Sequence, residues 1–134
     1  QEAGVAELAW LPGERSDVAD IMRGLHAFAL PSLAEGISNT VLEAMASALP
    51  VIATDVGGNA DLVVQGETGD IIAAADPLAM ARRILHLAHE PNVARLKGLA
   101  GRQRVEARFS MQAMVTNYQR VYDEQLRRIG AVNG

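Results

Sequence analysis

Short apolar runs alternate along the chain with longer segments of helical periodicity. Four runs are nearly continuous in apolar residues and are predicted to be strands: residues 7–13, 26–32, 50–56 and 69–74. Runs of this kind, without polar alternation, are typical of strands that are buried on both faces of a parallel sheet. Because helical segments lie between them, the pattern predicts an α/β fold with a parallel sheet of about four strands flanked by helices.

The helical segments begin at residues with the expected capping preferences. Asp76 is the predicted N-cap of the clearest helix, with Pro77 in the first helical position. The predicted N-caps of two other helices are Ser16 or Asp17, and Ser110. The predicted helices cover residues 16–25, 39–49, 58–65, 76–90, 92–107 and 110–129, the last two forming a C-terminal helical tail.

Composition narrows the class of protein. With 134 residues, 49% of them apolar and 21% charged, the chain has the size and composition of one soluble globular domain. The net charge of −4 disfavours a nucleic-acid-binding protein, and no apolar window is long enough to span a membrane. The absence of cysteine excludes disulfides and thiolate metal sites. We therefore expect a cytoplasmic protein, and because the chain starts at Gln1 we expect it to be a piece of a longer one.

Two loops follow predicted strands and contain glycine and polar residues. They are "PSLAEGISN" (31–39) and "TDVGGN" (54–59). In a parallel α/β sheet, ligands bind in the crevice at the carboxyl ends of the strands, and consecutive strands are usually neighbours. We therefore expect both loops to open onto the same crevice.

The first loop and the helix after it contain two carboxylates, Glu35 and Glu43. A helix beginning near Ser38 or Asn39 has unpaired N–H groups and the positive end of its dipole, which together favour a phosphate. Gly36 lets the backbone approach such a ligand. Glu43 is placed to accept hydrogen bonds from neighbouring hydroxyls, such as those of a ribose, and Glu35 to meet another part of the same ligand. The spacing suits a nucleotide sugar.

A simpler interpretation of the same residues stays open at this point. Thr40 and Glu43 match a capping box, in which Glu43 only binds the backbone at the start of the helix. Glu35 would then be a solvated side chain. Gly57 and Gly58 would form an ordinary turn.

The segment "PSLAEGISNTVLEAMASALPVIATDVGGNADLV" (31–63) resembles the C-terminal half-site of retaining GT-B glycosyltransferases of the GT4-type, or group 1, family. The family pattern is Glu, seven residues and Glu, followed by "AMA" and by a "PV-A" strand that leads to Gly-Gly. Glu35 and Glu43 have this spacing. Segments on both sides also follow the pattern, so the resemblance covers nearly the whole chain and implies a Rossmann-like donor-binding domain.

The resemblance implies roles for individual residues. Glu35 is the implied catalytic residue, in contact with the donor sugar near the reacting carbon, and Glu43 holds the ribose hydroxyls. The other implied donor-binding residues are Gly36, Ile37, Ser38, Asn39, Thr40, Gly57 and Gly58. No metal and no other cofactor is expected, because such enzymes generally need none.

The resemblance also implies what the whole enzyme does. It would transfer a sugar from a UDP- or GDP-linked donor to a saccharide or lipid-linked acceptor, as in polysaccharide biosynthesis, with peripheral membrane association allowed. Residues 1–134 would be one partial C-terminal domain, inactive without the N-terminal acceptor domain and without upstream Arg and Lys residues. A nucleotide-sugar epimerase or phosphorylase on the same fold, or a non-catalytic nucleotide-sugar-binding module, are the alternatives.

Two positions depart from the family pattern, and some features need no ligand. Ala48 stands where the family usually has Gly, which questions the geometry of that helix end. Asp70 replaces an apolar residue, which an edge position or a strand end would tolerate.

His86 and His89 are more simply explained by the dipole at a helix C-terminus than by a metal. Five residues at helical spacing in the last helix are expected to pack in a core: Met111, Met114, Val115, Tyr118 and Tyr122. The resemblance implies that this helix packs back toward the N-terminal domain.

Overall fold

Three parallel strands form the sheet in the computed structural model of the chain, which describes residues 4–36, 38–109 and 111–132. The strands are β1 (Phe28–Leu30), β2 (Val51–Thr54) and β3 (Gly69–Ile72), in the order β1-β2-β3. Each lies within a predicted apolar run, so three of the predicted strands are confirmed. All residues of β2 are buried, as expected of a central strand that is covered on both faces.

The predicted strand over residues 7–13 is wrong. This segment starts with a 3-10 turn at Ala6–Leu8, and the rest of it has no regular structure. Trp10 is 64% exposed and Leu11 is 90% exposed, and the Arg15 guanidinium lies 5.6 Å from the centre of the Trp10 ring. An apolar run becomes a strand only where a neighbouring strand accepts its hydrogen bonds, and within the described ranges no strand pairs with this one.

Six helices lie in the described part of the chain, close to the predicted ranges. Asp76 caps its helix as predicted, since its Oδ1 accepts a hydrogen bond from the Ala79 N–H at 2.9 Å. Asp17 precedes the first helix, but its carboxylate binds Arg15, whose guanidinium lowers the pKa of Asp17. Ser110, the other predicted N-cap, lies outside the described residues. The helices are α1 (Val18–Arg23), α2 (Asn39–Ala46), α3 (Asn59–Leu62), α4 (Pro77–His89), α5 (Pro91–Arg104) and α6 (Met111–Val132), with a π-helical turn at Val105–Phe109.

Helices cover both faces of the sheet. Alternate residues of β2 point to opposite sides, so Val51 and Ala53 face α2 while Ile52 faces α4. The core on the α2 side includes Met22, Val41, Ala44, Met45, Leu62 and Val63, and the core on the α4 side includes Ile72, Met80 and Leu87. This arrangement leaves the carboxyl ends of β1 and β2 for the two loops.

Ala48 has the backbone geometry that the family glycine would have. It adopts a left-handed φ of +59° just after α2. The N–H of Ala48 donates to the Met45 carbonyl at 3.0 Å, and the N–H of Leu49 donates to the Ala44 carbonyl at 3.0 Å. These two bonds make a Schellman motif, so the helix end is kept although alanine is strained there.

Asp70 is tolerated for a different reason from the one expected. It lies in β3, an edge strand of the described sheet, but it is only 1% exposed. Its Oδ2 accepts a hydrogen bond from Lys97 Nζ at 3.1 Å, and its Oδ1 accepts one from Gln65 Nε2 at 3.2 Å. Buried charges are found where they are paired and hydrogen-bonded, and Asp70 meets that condition.

The last helix differs from expectation where it can be described. Tyr122 is 65% exposed, so it does not pack in a core formed by the described residues. The side chains of Met111, Met114, Val115 and Tyr118 lie outside the described part. Among the described helices, none combines the length and the apolar character needed to cross a bilayer.

Candidate functional site

The two loops predicted to share a crevice are in direct contact. The loop after β1 contains Glu35 and Gly36, and the loop after β2 contains Gly57 and Gly58. The Gly58 N–H donates a hydrogen bond to the Gly36 carbonyl at 3.0 Å. The prediction from strand order is therefore confirmed, and the contact lies at the carboxyl ends of the strands, where α/β proteins bind their ligands.

Gly57 is more than an ordinary turn residue. Its φ is +53°, in the left-handed region, and a Cβ atom added to it would lie 1.7 Å from the Glu35 carbonyl oxygen. Only glycine satisfies both conditions. The tight approach fixes the backbone at Glu35 against the second loop.

The amino end of α2 faces solvent beside these loops. Ser38 is the N-cap, and its Oγ accepts a hydrogen bond from the Val41 N–H at 3.3 Å and lies 3.0 Å from Thr40 Oγ1. Asn39 and Thr40 are exposed, and within the described ranges their backbone N–H groups have no hydrogen-bond partner. Together with the helix dipole, these free donors favour an anion.

Glu43 is not part of a capping box. Since α2 begins at Asn39, Glu43 is the fifth helical residue, whereas the box needs the third. Its side chain is exposed, and it forms no hydrogen bond or ion pair with any described residue. The simpler interpretation of Glu43 is therefore wrong, and its carboxylate remains able to accept hydrogen bonds from a ligand.

Glu35 is held by a residue that the sequence analysis did not identify. It is half-buried, and its Oε1 accepts a hydrogen bond from Ser32 Oγ at 2.8 Å. Ser32 is in turn bound through its carbonyl by Thr54 Oγ1 at 2.6 Å. Glu35 is thus not merely a solvated side chain. The only signal in the sequence is the spacing Ser-x-x-Glu in the first loop, which is too common to single out.

The other predicted site residues have the following positions. Gly36 is exposed and Gly58 is half-buried, both at the contact between the loops. Ile37 lies outside the described residues. No described Lys or Arg forms an ion pair with Glu35 or Glu43. The carboxylates are therefore uncompensated by cations within the described ranges.

A cavity in another part of the described structure does not include these loops. It has a volume of about 570 Å³ and is lined by residues that precede β1 and β2, among them His26 and Ala48, together with Leu87 of α4. These positions are at the amino ends of the strands, opposite the crevice. The chemistry of the free N–H groups and carboxylates, rather than cavity size, identifies the candidate site.

The chain is similar to a known family and to individual proteins. The sequence profile of the family described as "Glycosyl transferases group 1" matches residues 1–90. A lipopolysaccharide core biosynthesis mannosyltransferase of Rhizobium leguminosarum is 36% identical over 124 residues, which are 92% of this chain and 35% of that protein. The chain thus spans about a third of the length of this curated relative.

Solved structures agree with this similarity. Sucrose-phosphate synthase from Thermosynechococcus elongatus superposes with a TM-score of 0.76 at 31% identity, over 81% of this chain and 27% of its own. Anabaena HepE, solved in complex with UDP and glucose, superposes with a TM-score of 0.84 at 21% identity, over 94% of this chain and 34% of its own. The second likeness bears on the fold alone.

Proposed function

The chain belongs to the group 1 glycosyltransferases, and on this basis we propose that it supplies the donor-binding half of an enzyme that transfers a sugar from a nucleoside diphosphate. The acceptor is a saccharide or a lipid-linked acceptor, in polysaccharide biosynthesis. The first of the relatives described above is named as a mannosyltransferase of lipopolysaccharide core biosynthesis, which supports this class of acceptor. Residues 1–134 are part of a C-terminal, Rossmann-like domain of a cytoplasmic GT4-type enzyme, and a separate domain holds the acceptor.

One observation carries the proposal. The free N–H groups at the start of α2 lie in the sequence between two carboxylates, Glu35 in the loop that precedes the helix and Glu43 in the helix itself. A nucleoside diphosphate sugar has the same order of groups, with an anionic diphosphate between the hydroxyls of a ribose and those of a sugar.

Each group has a defined part in donor binding. The N–H groups of Asn39 and Thr40, with that of Ser38, hold the diphosphate, and Gly36, Gly57 and Gly58 let the backbone approach it. Ile37 is a further donor-binding residue. Glu43 accepts hydrogen bonds from the ribose hydroxyls, which are bonds to a charged acceptor. Glu35 contacts the donor sugar near the reacting carbon.

The same arrangement favours the transfer step. As the bond between the sugar and the diphosphate breaks, positive charge develops on the sugar and negative charge on the leaving diphosphate. Donors fixed at a helix N-terminus stabilise that negative charge without reorganising. Glu35 stabilises and orients the sugar, with retention of configuration, and no metal or other cofactor takes part.

Nucleotide titration tests the donor site. UDP, GDP and ADP are titrated calorimetrically into the complete enzyme that carries this chain, as wild type, Glu43→Ala and the control Glu67→Ala. Glu67 is also an exposed glutamate, but it lies in the turn before β3, away from the crevice. We expect one nucleotide to bind and Glu43→Ala to weaken its affinity roughly tenfold to hundredfold, as the loss of hydrogen bonds to a charged group implies. Binding of none of the three would contradict the proposal.

A second assay separates an enzyme from a binding module. Transfer and hydrolysis of UDP-glucose and GDP-mannose are followed for the complete enzyme and for residues 1–134 alone. We expect turnover by the complete enzyme and none by the isolated chain, since acceptor contacts and the basic residues for the diphosphate lie outside it. A measurable transferase rate from the isolated chain would contradict the proposal that residues 1–134 are inactive without the rest of the enzyme.

A further inference from the structure

Glu35 has one hydrogen-bond partner among the described residues. This partner is the hydroxyl of Ser32, which donates to Oε1 at 2.8 Å. A hydrogen bond from a hydroxyl to an ionised carboxylate is short and strong compared with one between neutral groups. Because Ser32 is bound to Oε1, the second oxygen of Glu35 remains available to accept a hydrogen bond from a ligand.

Ser32 is itself fixed through its backbone. Thr54 is the last residue of β2 and is only 2% exposed, and its Oγ1 donates to the Ser32 carbonyl at 2.6 Å. The Thr54 carbonyl accepts a hydrogen bond from Asn59 Nδ2 at 2.9 Å, and Asn59 is fully buried. A continuous series of hydrogen bonds thus runs from the first residue of α3 through the end of β2 to the carboxylate of Glu35.

We propose that Ser32 is a positioning residue for the transfer reaction, which holds the Glu35 carboxylate in the orientation that meets the donor sugar, and that Thr54 supports it. This inference rests on the proposed function, because it assigns to Ser32 an effect that passes through Glu35. A flexible glutamate side chain in a loop has several rotamers, and a reaction that needs one of them proceeds faster when that one is fixed. Ser32 selects it.

The geometry separates the two roles of Ser32. Its side chain binds Glu35, whereas its backbone carbonyl binds Thr54. Ser32→Ala therefore removes the bond to Glu35 and leaves the bond from Thr54 in place. Thr54→Val keeps the Ser32 hydroxyl but removes the bond to the Ser32 carbonyl, together with the longer bond from Thr54 Oγ1 to the Leu30 carbonyl at 3.4 Å.

Steady-state kinetics of the complete enzyme test the proposal. Values of kcat and KM are measured with UDP-glucose and GDP-mannose, and Kd values with UDP and GDP, for Ser32→Ala, Ser32→Thr, Thr54→Val and the control Ser47→Ala. The Ser47 hydroxyl also makes a hydrogen bond, to the Glu43 carbonyl at 2.9 Å, but it lies at the far end of α2. We expect Ser32→Ala to lower kcat about tenfold to hundredfold, in the range of a lost hydrogen bond to a charged group, with Kd for the nucleotide changed less than about twofold. Ser32→Thr keeps the hydroxyl and restores most of kcat, Thr54→Val causes a smaller loss, and Ser47→Ala has no effect.

A double-mutant cycle distinguishes positioning from a structural role. If Ser32 acts through Glu35, Ser32→Ala causes no further loss of kcat in a Glu35→Ala background. An equal loss in both backgrounds would overturn the inference, and so would an unchanged kcat in Ser32→Ala. If Ser32→Ala fails to fold, Ser32→Cys, which keeps the size but donates weakly, is compared in the same cycle. Failure of wild type to bind a nucleotide would instead overturn the proposed function, so the two failures are distinguishable.

Discussion

The carbonyl oxygen of Glu35 lies where a side chain on Gly57 would begin, since a Cβ atom added to Gly57 would be 1.7 Å from it. Gly57 also has a φ of +53°. The two loops of the candidate site are thus pressed together at one point, and the backbone on both sides of that point is fixed by the absence of a side chain. The geometry of Glu35 depends on this contact as well as on Ser32.

Gly57→Ala tests the contact between the loops. We expect it to lower the free energy of unfolding by about 2 to 4 kcal/mol, from the left-handed strain of alanine and from overpacking against the Glu35 carbonyl. Gly66→Ala is the matched control, because Gly66 also has a positive φ, +78°, but a Cβ atom there would have nothing within 4 Å. Gly66→Ala should lower the free energy of unfolding by only about 1 kcal/mol. Urea unfolding measures both, and equal losses would show that the loops separate easily.

Ala48→Gly is expected to stabilise the protein. Ala48 has a φ of +59° in the Schellman motif after α2, a conformation that costs alanine about 1 to 2 kcal/mol and glycine nothing. Part of the gain is offset by the greater freedom of glycine in the unfolded chain, so we expect a net increase of about 0.5 to 1 kcal/mol in the free energy of unfolding. The control is Ala81→Gly, at an exposed position inside α4, which should lose about 1 kcal/mol. A fall in the free energy of unfolding for Ala48→Gly, like the one expected for Ala81→Gly, would contradict the prediction.

Two helical glycines should respond to alanine in opposite directions. A Cβ atom on Gly98 of α5 would lie 2.0 Å from the Ala48 carbonyl oxygen, so Gly98→Ala must push α5 away from the corner between α2 and β2. We expect a loss of about 1 to 3 kcal/mol. Gly130 of α6 has open space around it, and Gly130→Ala should raise the free energy of unfolding by up to about 1 kcal/mol through helix propensity. The midpoints of urea unfolding measure the two changes in stability. An increase in stability for Gly98→Ala would show that α5 is loosely packed.

The elements that could be predicted from sequence are those with local signals. α4 begins where Asp76 and Pro77 predict it, and β2 forms from a continuous apolar run that ends at a glycine-containing loop. The apolar run at 7–13 looks the same in sequence, yet it is exposed, because strand formation depends on a neighbour that a local pattern does not contain.

The candidate site could be predicted in part for the same reason. The contact between the two loops followed from strand order, and the free N–H groups at the start of α2 followed from its N-cap. The role of Ser32 was not predicted, because the position of Ser32 depends on the hydrogen bond from Thr54 to its carbonyl, and Thr54 is 22 residues further along the chain. The tolerance of Asp70 was misjudged likewise, since Lys97 is 27 residues away in sequence.

The buried ion pair between Asp70 and Lys97 is predicted to stabilise the protein at the edge of the sheet. The Asp70 side chain is 2% exposed and that of Lys97 is 10% exposed, with 3.1 Å between Oδ2 and Nζ. Removing one partner leaves the other charge buried, which typically costs 3 to 5 kcal/mol, whereas replacing both by apolar residues is often neutral or stabilising. We expect Lys97→Met to lower the free energy of unfolding by about 3 kcal/mol, near the lower end, because Gln65 still binds Asp70 and Arg83 Nη1 lies 4.0 Å from it.

The double variant Asp70→Leu with Lys97→Met should return the free energy of unfolding to within about 1 kcal/mol of wild type, since an apolar pair fills the space without a buried charge. Urea unfolding of wild type, both single variants and the double variant gives the coupling between the two side chains, which we expect to exceed about 2 kcal/mol. The matched control is Arg102→Met, which breaks the exposed ion pair with Glu106 and should change stability by less than about 1 kcal/mol. If Lys97→Met were as mild as this control, Gln65 and Arg83 would stabilise Asp70 sufficiently without Lys97, and the pair would not explain why a carboxylate is tolerated inside β3.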